Sequence, residues 1–219
     1  MKLARPDIRH PRIVLAGSVG DDAGLVAALR RRGLHAQWLP WDDPDTLHAD
    51  VVILRAAGDD RLDEFLAWTR RVRHLLNPPD VVAWNTDQRY LRDLQDAGMP
   101  TTRAAAPENA TALVFLGGTQ SHAFTTQRSV DADFELWDVG HAALRVAAEH
   151  LRIRADELLY GRADVTDEAR LVRLDLVAPS LGLQLLDDAA RDIAERQFAI
   201  CVESALERLG LGPLSHRRP

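Results

Sequence analysis

The residues best suited to chemistry lie in one charged stretch, residues 158–183, with the sequence LLYGRADVTDEARLVRLDLVAPSLGL. An Arg-x-Asp pair stands on each side of a short turn: Arg162 with Asp164, and Arg173 with Asp175. Residues two apart on a β-strand share a face, so each arginine points to the same side as its neighbouring aspartate. Grouped carboxylates hold a cation or move a proton, whereas an arginine beside them neutralises the site or binds an anion.

The register of this predicted hairpin decides between those two chemistries. If Asp164 faces Arg173, then Arg162 falls opposite Asp175, which gives two cross-strand ion pairs and no net charge. The alternative register sets Arg162 against Arg173, and repulsion between like charges disfavours it. In the favoured register each carboxylate is already occupied by an arginine, and Mg²⁺ prefers uncompensated carboxylates. We therefore expect no metal ion at this hairpin.

The overall composition is that of an ordinary globular chain. It has 219 residues, 46% of them apolar, and a formal net charge of −6, which disfavours broad nucleic-acid binding. No apolar run approaches the length of a membrane span, and the N-terminal residues lack a secretory signal. A single cysteine, Cys201, excludes an internal disulfide and fits a reducing compartment. We expect a cytoplasmic protein with no membrane or nucleic-acid partner.

The basic residues are almost all arginine. Of 27 basic residues only Lys2 is a lysine, and it lies in the N-terminal segment, where chains fray. A mechanism that needs a buried lysine to bind phosphate, form a Schiff base or act as a base is therefore disfavoured. The turn AGSVGDDAG, residues 16–24, matches neither the dinucleotide-binding nor the P-loop spacing and is interpreted as a plain tight turn.

The first half of the chain alternates strand and helix patterns. Apolar runs at 12–17, 34–41 and 49–57 predict strands, and periodic segments at 21–33 and 60–76 predict helices. The segment 77–85 is predicted as a short strand. Residues 86–100 are predicted as a helix that begins at Thr86 and ends before Gly98. This order predicts a layered α/β domain over residues 1–102.

The second half predicts two hairpins and two helices. The first hairpin, 111–127, turns at Gly117-Gly118, the second is the charged stretch, and helices are predicted at 138–153 and 186–210. The buried face of the last helix is predicted to contain Ile193, Ala194, Phe198, Cys201, Ala205 and Leu209. Residues 103–219 are therefore predicted to form an α+β domain with an antiparallel sheet.

Three stretches, 60–101, 111–124 and 158–183, occur in an order that resembles the ATP-grasp superfamily, in particular its RimK-like and cycloserine-type ligases. With the N-terminal α/β segment the resemblance spans most of the chain. Enzymes of that family join a carboxylate to an amine through an acyl phosphate. They hold ATP between a central and a C-terminal lobe, with magnesium on carboxylates of the latter. The resemblance implies an N-terminal pre-ATP-grasp-like domain and a C-terminal ATP-grasp-like lobe.

The sequence departs from the family pattern where ATP and magnesium would bind. Only residues 103–110 stand where a central nucleotide-binding lobe is expected. Gln88 follows Asp87 where relatives commonly have a lysine, and Arg173 and Ala178 occupy positions at which relatives carry acids. The departures predict a truncated and degenerate ATP-grasp fold, without the central lobe, that uses no cofactor and no metal.

Seven residues are candidates for the site that remains. The resemblance places Arg162 against a substrate carboxylate, Asp164 and Asp175 at former metal-ligand positions, Ser180 in the acceptor loop and Asn85 at the edge of the cleft. The predicted catalytic residues are Asp164, Asp175 and His122, and the predicted substrate-binding residues are Arg162, Arg173, Ser180 and Asn85. Each also has a structural alternative: a sheet-stabilising ion-pair network, a hydrogen-bonded core histidine, or a turn residue.

These residues leave two main hypotheses. In one, the chain is an ATP-independent enzyme that acts on a small amino-acid-like carboxylate in natural-product biosynthesis, by cyclisation, isomerisation or elimination. In the other it is a non-catalytic pseudo-ligase that binds a metabolite or a partner enzyme; residual ATP-dependent ligation is a further alternative. The enzyme is favoured, because a discarded pocket does not need four alternating charges. The surface left by the lost lobe predicts a homodimer or a complex with a pathway partner.

Overall fold

The computed structural model describes residues 10–102 and 110–212. They form a four-stranded parallel sheet and a five-stranded antiparallel sheet with helices packed against them. This confirms the predicted combination of a layered α/β part and an antiparallel α+β part. The predicted boundary at residue 102 adjoins residues 103–109, which lie outside the described residues, as does Lys2, and the division into two domains stays a prediction.

The N-terminal part alternates strands and helices as predicted up to Thr69, but residues 75–76, within the segment 60–76 that was predicted as a helix, form a strand. Its elements are β1 (Arg12–Ala16), α1 (Gly24–Arg31), β2 (His35–Leu39), β3 (Val51–Leu54), α2 (Leu62–Thr69), β4 (Leu75–Leu76), α3 (Pro79–Thr86) and α4 (Tyr90–Asp96). The strand order is β2-β1-β3-β4, and every pair is parallel. β1 from Ile13 onward and all of β3 are continuous apolar runs, as expected where both faces of a parallel sheet are covered.

The segment 77–85 is where the prediction of a strand is wrong, because α3 occupies it. Pro79 stands in the first helical turn, where a missing N–H costs nothing, and Asp80 complements the positive end of the helix dipole. Val81 and Val82 then turn into the core. The apolar β-branched pair indicated a strand, but the proline and the acid before it favour the start of a helix.

The prediction that Thr86 begins the next helix is also wrong. Thr86 is the last residue of α3, and its hydroxyl donates to the carbonyl oxygen of Val82 at 2.8 Å. α4 begins only at Tyr90, after a turn in which the Asp87 carboxylate accepts the N–H of Arg89 at 2.9 Å. Gly98 does follow the helix end, with φ of 88°.

The C-terminal part contains the second sheet and the two long helices. Its elements are β5 (Thr111–Leu116), β6 (Thr119–Phe124), β7 (Ser129–Val130), α5 (Phe134–Leu151), β8 (Tyr160–Val165), β9 (Leu171–Asp175) and α6 (Asp188–Arg208). The sheet has the order β7-β6-β5-β8-β9 and is antiparallel throughout. Gly117 and Gly118 have φ of 59° and 75°, which confirms the predicted two-residue turn.

α6 buries a broader face than the predicted stripe. Ala194, Phe198 and Ala205 are buried as predicted, together with Val202, whereas Ile193 is 63% exposed and its prediction as a core residue is wrong. The buried positions run at intervals of three and four residues, and Ile193 falls just outside that face. The core beneath α6 contains side chains from β1, β3 and β5, so both sheets share it. No helix of the described part is long and apolar enough to cross a membrane.

Candidate functional site

A cleft of about 1020 Å³ lies between the α3–α4 segment and the β8–β9 hairpin. It brings together five of the seven predicted site residues: Arg162, Asp164, Arg173, Asp175 and Asn85. The hairpin supplies the four charges because β8 and β9 pair in the favoured register, Asp164 opposite Arg173 and Arg162 opposite Asp175. The structure therefore confirms the register that the charge pattern predicted.

Two arginines hold the carboxylate of Asp164. Arg162 donates to it from Nε at 2.7 Å and from Nη2 at 3.2 Å, and Arg173 donates from Nε at 3.1 Å. The Asp164 side chain is only 6% exposed, so these charge-assisted bonds replace its hydration. The predicted cross-strand pair between Arg162 and Asp175 is wrong. Arg162 instead turns along its own strand, and its guanidinium lies 5.1 Å from the centre of the Phe124 ring.

Asp175 has a different environment although it faces Arg162 across the strands. One carboxylate oxygen accepts the N–H of Val177 at 3.1 Å, and the side chain is half-buried at the cleft surface. Among the described side chains none forms an ion pair with it. Asp175 is therefore the carboxylate of the cleft that is available to an ammonium group or to a proton.

Tyr90 is a residue of this cleft that the sequence interpretation missed. Its hydroxyl oxygen accepts the N–H of Leu174 at 3.3 Å and sits at the start of α4, close to β9. Burial raises the pKa of the Tyr90 hydroxyl, and the nearby carboxylate of Asp175 raises it further. The hydroxyl therefore keeps its proton at neutral pH and can act as a hydrogen-bond donor. Its sequence setting, an aromatic residue in a helical pattern, gave no signal beyond packing.

Asn85 lines the cleft, but its amide also fixes the position of β9. Nδ2 donates to the carbonyl oxygen of Leu174 at 2.9 Å, and Oδ1 accepts the N–H of Leu176 at 2.6 Å. β9 is the edge strand of its sheet, so these bonds satisfy backbone groups that would otherwise lack a strand partner. Substrate binding by Asn85 stays a prediction, and its observed bonds make it a positioning residue.

His122 lies on the same face of the antiparallel sheet as Arg162, but it does not line the cleft. It pairs with Val114, which in turn pairs with Arg162. Its Nε2 lies 2.7 Å from the carbonyl oxygen of Leu181 and its Nδ1 3.1 Å from the Ser121 hydroxyl. Burial lowers the pKa of His122, which favours a neutral ring with Nε2–H donating to the carbonyl. Its predicted catalytic role stays untested.

Ser180 is exposed in the loop after β9 and does not line the cleft. That loop is held by Arg55, whose Nη2 donates to the carbonyl oxygen of Pro179 at 2.7 Å. The buried Arg55 guanidinium also donates from Nε to Asp22 at 2.7 Å and lies 5.3 Å from the centre of the Tyr160 ring. Sequence reasoning did not single out Arg55, because an arginine after a strand carries no signal of burial. The predicted substrate contact of Ser180 stays untested.

The first part of the chain matches a known family model. Residues 9–77 match the family described as the N-terminal domain of D-cycloserine synthetase DcsG. The cycloserine biosynthesis protein DcsG of Streptomyces lavendulae is 36% identical over 104 residues, which cover 43% of this chain and 35% of that protein. The matched part thus spans about a third of that relative's length.

Solved structures extend the likeness to the whole fold. The crystal structure of D-cycloserine synthetase DcsG superimposes with a TM-score of 0.74 and 20% identity, over 90% of this chain and 99% of that chain. The RimK domain ATP-grasp protein from Sphaerobacter thermophilus gives a TM-score of 0.62 at 11% identity, over 87% and 99%. The chain has an ATP-grasp-related fold. This confirms the resemblance carried by its three motif stretches.

The residues of this ATP-grasp-related cleft do not fit a magnesium–nucleotide site. Both oxygens of Asp164 are bonded to guanidinium groups, and Arg173 adds a positive charge beside them. Among the described residues no group of three or more His, Cys, Asp and Glu side chains is arranged to hold a metal ion. Mg²⁺ needs oxygen ligands in a near-octahedral arrangement, and neighbouring arginines repel it.

Proposed function

We propose that this chain acts on a small amino-acid-like carboxylate in natural-product biosynthesis and does so without ATP. The observation that carries the proposal is the contrast between two neighbouring carboxylates. Asp164 is bound by two arginines, whereas Asp175, one strand away, has no arginine partner in the described part of the chain. Where the ATP-grasp resemblance implies a magnesium site, the cleft thus offers cationic and anionic groups side by side.

The carboxylate of Asp175 and the guanidinium of Arg173 together suit a zwitterionic ligand. The carboxylate of Asp175 can accept hydrogen bonds from an ammonium group. Arg173 uses only Nε for Asp164 and is 49% exposed, so its outer N–H groups can bind a ligand carboxylate. The protonated hydroxyl of Tyr90 accepts the backbone N–H of Leu174, the residue between Arg173 and Asp175 in the chain, and can donate to either a carboxylate or a developing oxyanion.

The chemistry open to such a site is proton transfer. Asp175 is the group that can take a proton from a bound amine or from carbon, and Tyr90 can supply one. A cyclisation, isomerisation or elimination needs these two roles and no nucleotide. The similarity to a cycloserine biosynthesis protein supports a biosynthetic setting, and the short connection at 103–110 supports the loss of a central nucleotide-binding lobe.

A second candidate is a non-catalytic pseudo-ligase that binds the same kind of metabolite or a partner enzyme. This candidate is favoured because the other two residues predicted to transfer protons already have partners. Asp164 is bound by arginines, and both ring nitrogens of His122 are hydrogen-bonded. In this case Asp175 would recognise an ammonium group and move no proton. A homodimer or a complex with a pathway partner is proposed for either function.

Native mass spectrometry of the full chain, followed by calorimetry, tests the proposal. We expect no binding of Mg²⁺·ATP and measurable binding of amino-acid zwitterions from a panel of both enantiomers. Asp175→Asn should weaken that binding at least tenfold, while Asp167→Asn, an exposed aspartate in the β8–β9 turn, should leave it unchanged. Product formation from a bound compound separates the enzyme from the pseudo-ligase. Tight, magnesium-dependent ATP binding would overturn the proposal.

A further inference from the structure

The described arginines of the cleft carry a positive charge that its described acids do not balance. Its described charged side chains are Arg89, Arg92, Arg162, Arg173, Asp164 and Asp175. Arg89 is neutralised by Asp87, with Nη2–Oδ2 at 2.6 Å. Three arginines and two aspartates then remain, so the described side chains leave one positive charge. A ligand that carries one net negative charge complements that balance.

The arginine of the cleft whose charge has no described acidic partner is Arg92, which lies opposite the β8–β9 hairpin. Arg92 is in α4, and no described acidic side chain forms an ion pair with it. Tyr90, two residues earlier, contacts the backbone of β9, which brings the first turn of α4 beside the charged strands. Gln95, one turn further along the same helix, also lines the cleft.

From these observations we infer that the cleft binds an amino acid with a second anionic group, and that Arg92 binds that group. The inference rests on the proposed function and names its substrate class. The ammonium group would pair with Asp175, the α-carboxylate with Arg173, and the second anion with Arg92. A guanidinium can bind either a carboxylate or a phosphate in a two-point arrangement, so both kinds of second anion are candidates.

Calorimetry with matched ligand pairs tests this assignment. Aspartate with asparagine and glutamate with glutamine differ by one charge at nearly constant shape, and O-phosphoserine with serine tests a phosphate. Both enantiomers of each are measured at physiological ionic strength, because screening weakens exposed charges. We expect at least one acidic compound to bind about tenfold or more tightly than its neutral counterpart.

The variant Arg92→Gln should bring that ratio close to one while leaving the affinity for the neutral compound unchanged. Arg145→Gln is the control, since Arg145 is an exposed arginine of α5 outside the cleft, and it should preserve the ratio. If neutral amino acids bind as tightly as acidic ones, or if Arg92→Gln leaves the ratio unchanged, this inference is wrong and the proposed function stands. If no amino acid binds, the proposed function fails as well.

Discussion

Arg162 binds Asp164 within its own strand through two contacts, Nε to Oδ1 at 2.7 Å and Nη2 to Oδ2 at 3.2 Å. Both side chains are largely buried, 18% and 6% exposed. Removing the arginine leaves a buried carboxylate with only Arg173 as an ionic partner, and that costs more than losing a surface pair. The variant Arg162→Met should therefore lower the free energy of unfolding by about 1–3 kcal/mol, measured by urea denaturation.

Two comparisons make that measurement specific to the pair. Arg145→Met removes an exposed arginine whose partner Glu149 is equally exposed, and it should change stability by about 0.5 kcal/mol or less. The double variant Arg162→Met/Asp164→Leu should recover part of the loss because no buried carboxylate is left unpaired. Additive losses in the double variant would show that the two side chains do not depend on each other.

Arg173 opposes metal binding in this cleft because its positive charge lies beside the carboxylate of Asp164. Replacing it by glutamate would remove a positive charge and add a third carboxylate beside Asp164 and Asp175. Arg173→Glu should therefore bind Mn²⁺ with a Kd on the order of 1 mM, whereas the unmodified chain should bind it at least tenfold more weakly. Titration followed by electron paramagnetic resonance measures both. Arg173→Gln removes the charge without adding a carboxylate and should bind Mn²⁺ more weakly than Arg173→Glu. Binding by Arg173→Glu that is no tighter than binding by the unmodified chain would refute the explanation.

The features that the sequence predicted correctly are those set by a local pattern of apolar or charged residues along the chain. Apolar runs predicted β1, β2 and β3, and opposite charges fixed the register of Arg162 with Asp175 across the hairpin. The ion pairs within that register could not be predicted in the same way. An arginine side chain reaches a residue two positions away on its own strand as easily as a residue on the paired strand. The rotamer of Arg162 therefore decides which aspartate it binds. Here the contact of its guanidinium with the Phe124 ring favours the pair with Asp164 on the same strand.

Residues whose roles depend on contacts between distant segments were missed. Tyr90 meets Leu174 across 84 residues of sequence, and Arg55 meets Pro179 across 124. Neither has a local pattern that distinguishes it from an ordinary helix aromatic or a surface arginine. His122 shows the converse: its sequence setting suggested catalysis, and the fold places the carbonyl of Leu181 at one ring nitrogen.

The burial of His122 makes stability depend on pH. Burial lowers the pKa of the folded-state imidazole below its ordinary value near 6.5, so the unfolded chain binds the proton more readily. This contribution to stability is complete above about pH 6.5 and is lost as the pH falls toward the folded-state pKa. We expect the unfolding free energy of the unmodified chain to decrease in that range by no more than about 1.4 kcal/mol per pH unit from this group.

The variant His122→Gln should flatten that part of the profile, since glutamine keeps a hydrogen-bond donor for Leu181 but takes up no proton. Urea titrations between pH 5 and pH 8 provide the comparison. His48→Gln is the control because His48 is exposed. A profile that is the same for His122→Gln and for the unmodified chain would mean that other groups determine the acid sensitivity.

Gly24 permits the close packing of α1 against α6, and an alanine there should reverse the usual effect of this substitution. Alanine in place of glycine ordinarily stabilises a helix by about 0.5–1 kcal/mol. A methyl group at Gly24 would clash with the carboxylate of Glu195, whose side chain is buried and bonded to Arg31 at 3.3 Å. The two helices must then separate or the carboxylate must move, at a cost of about 1–3 kcal/mol.

Thermal denaturation of Gly24→Ala should show that loss of stability. Adding Glu195→Ala should restore part of the stability, because the obstructing carboxylate is gone. A more stable Gly24→Ala variant would mean that the Glu195 carboxylate moves aside at little cost.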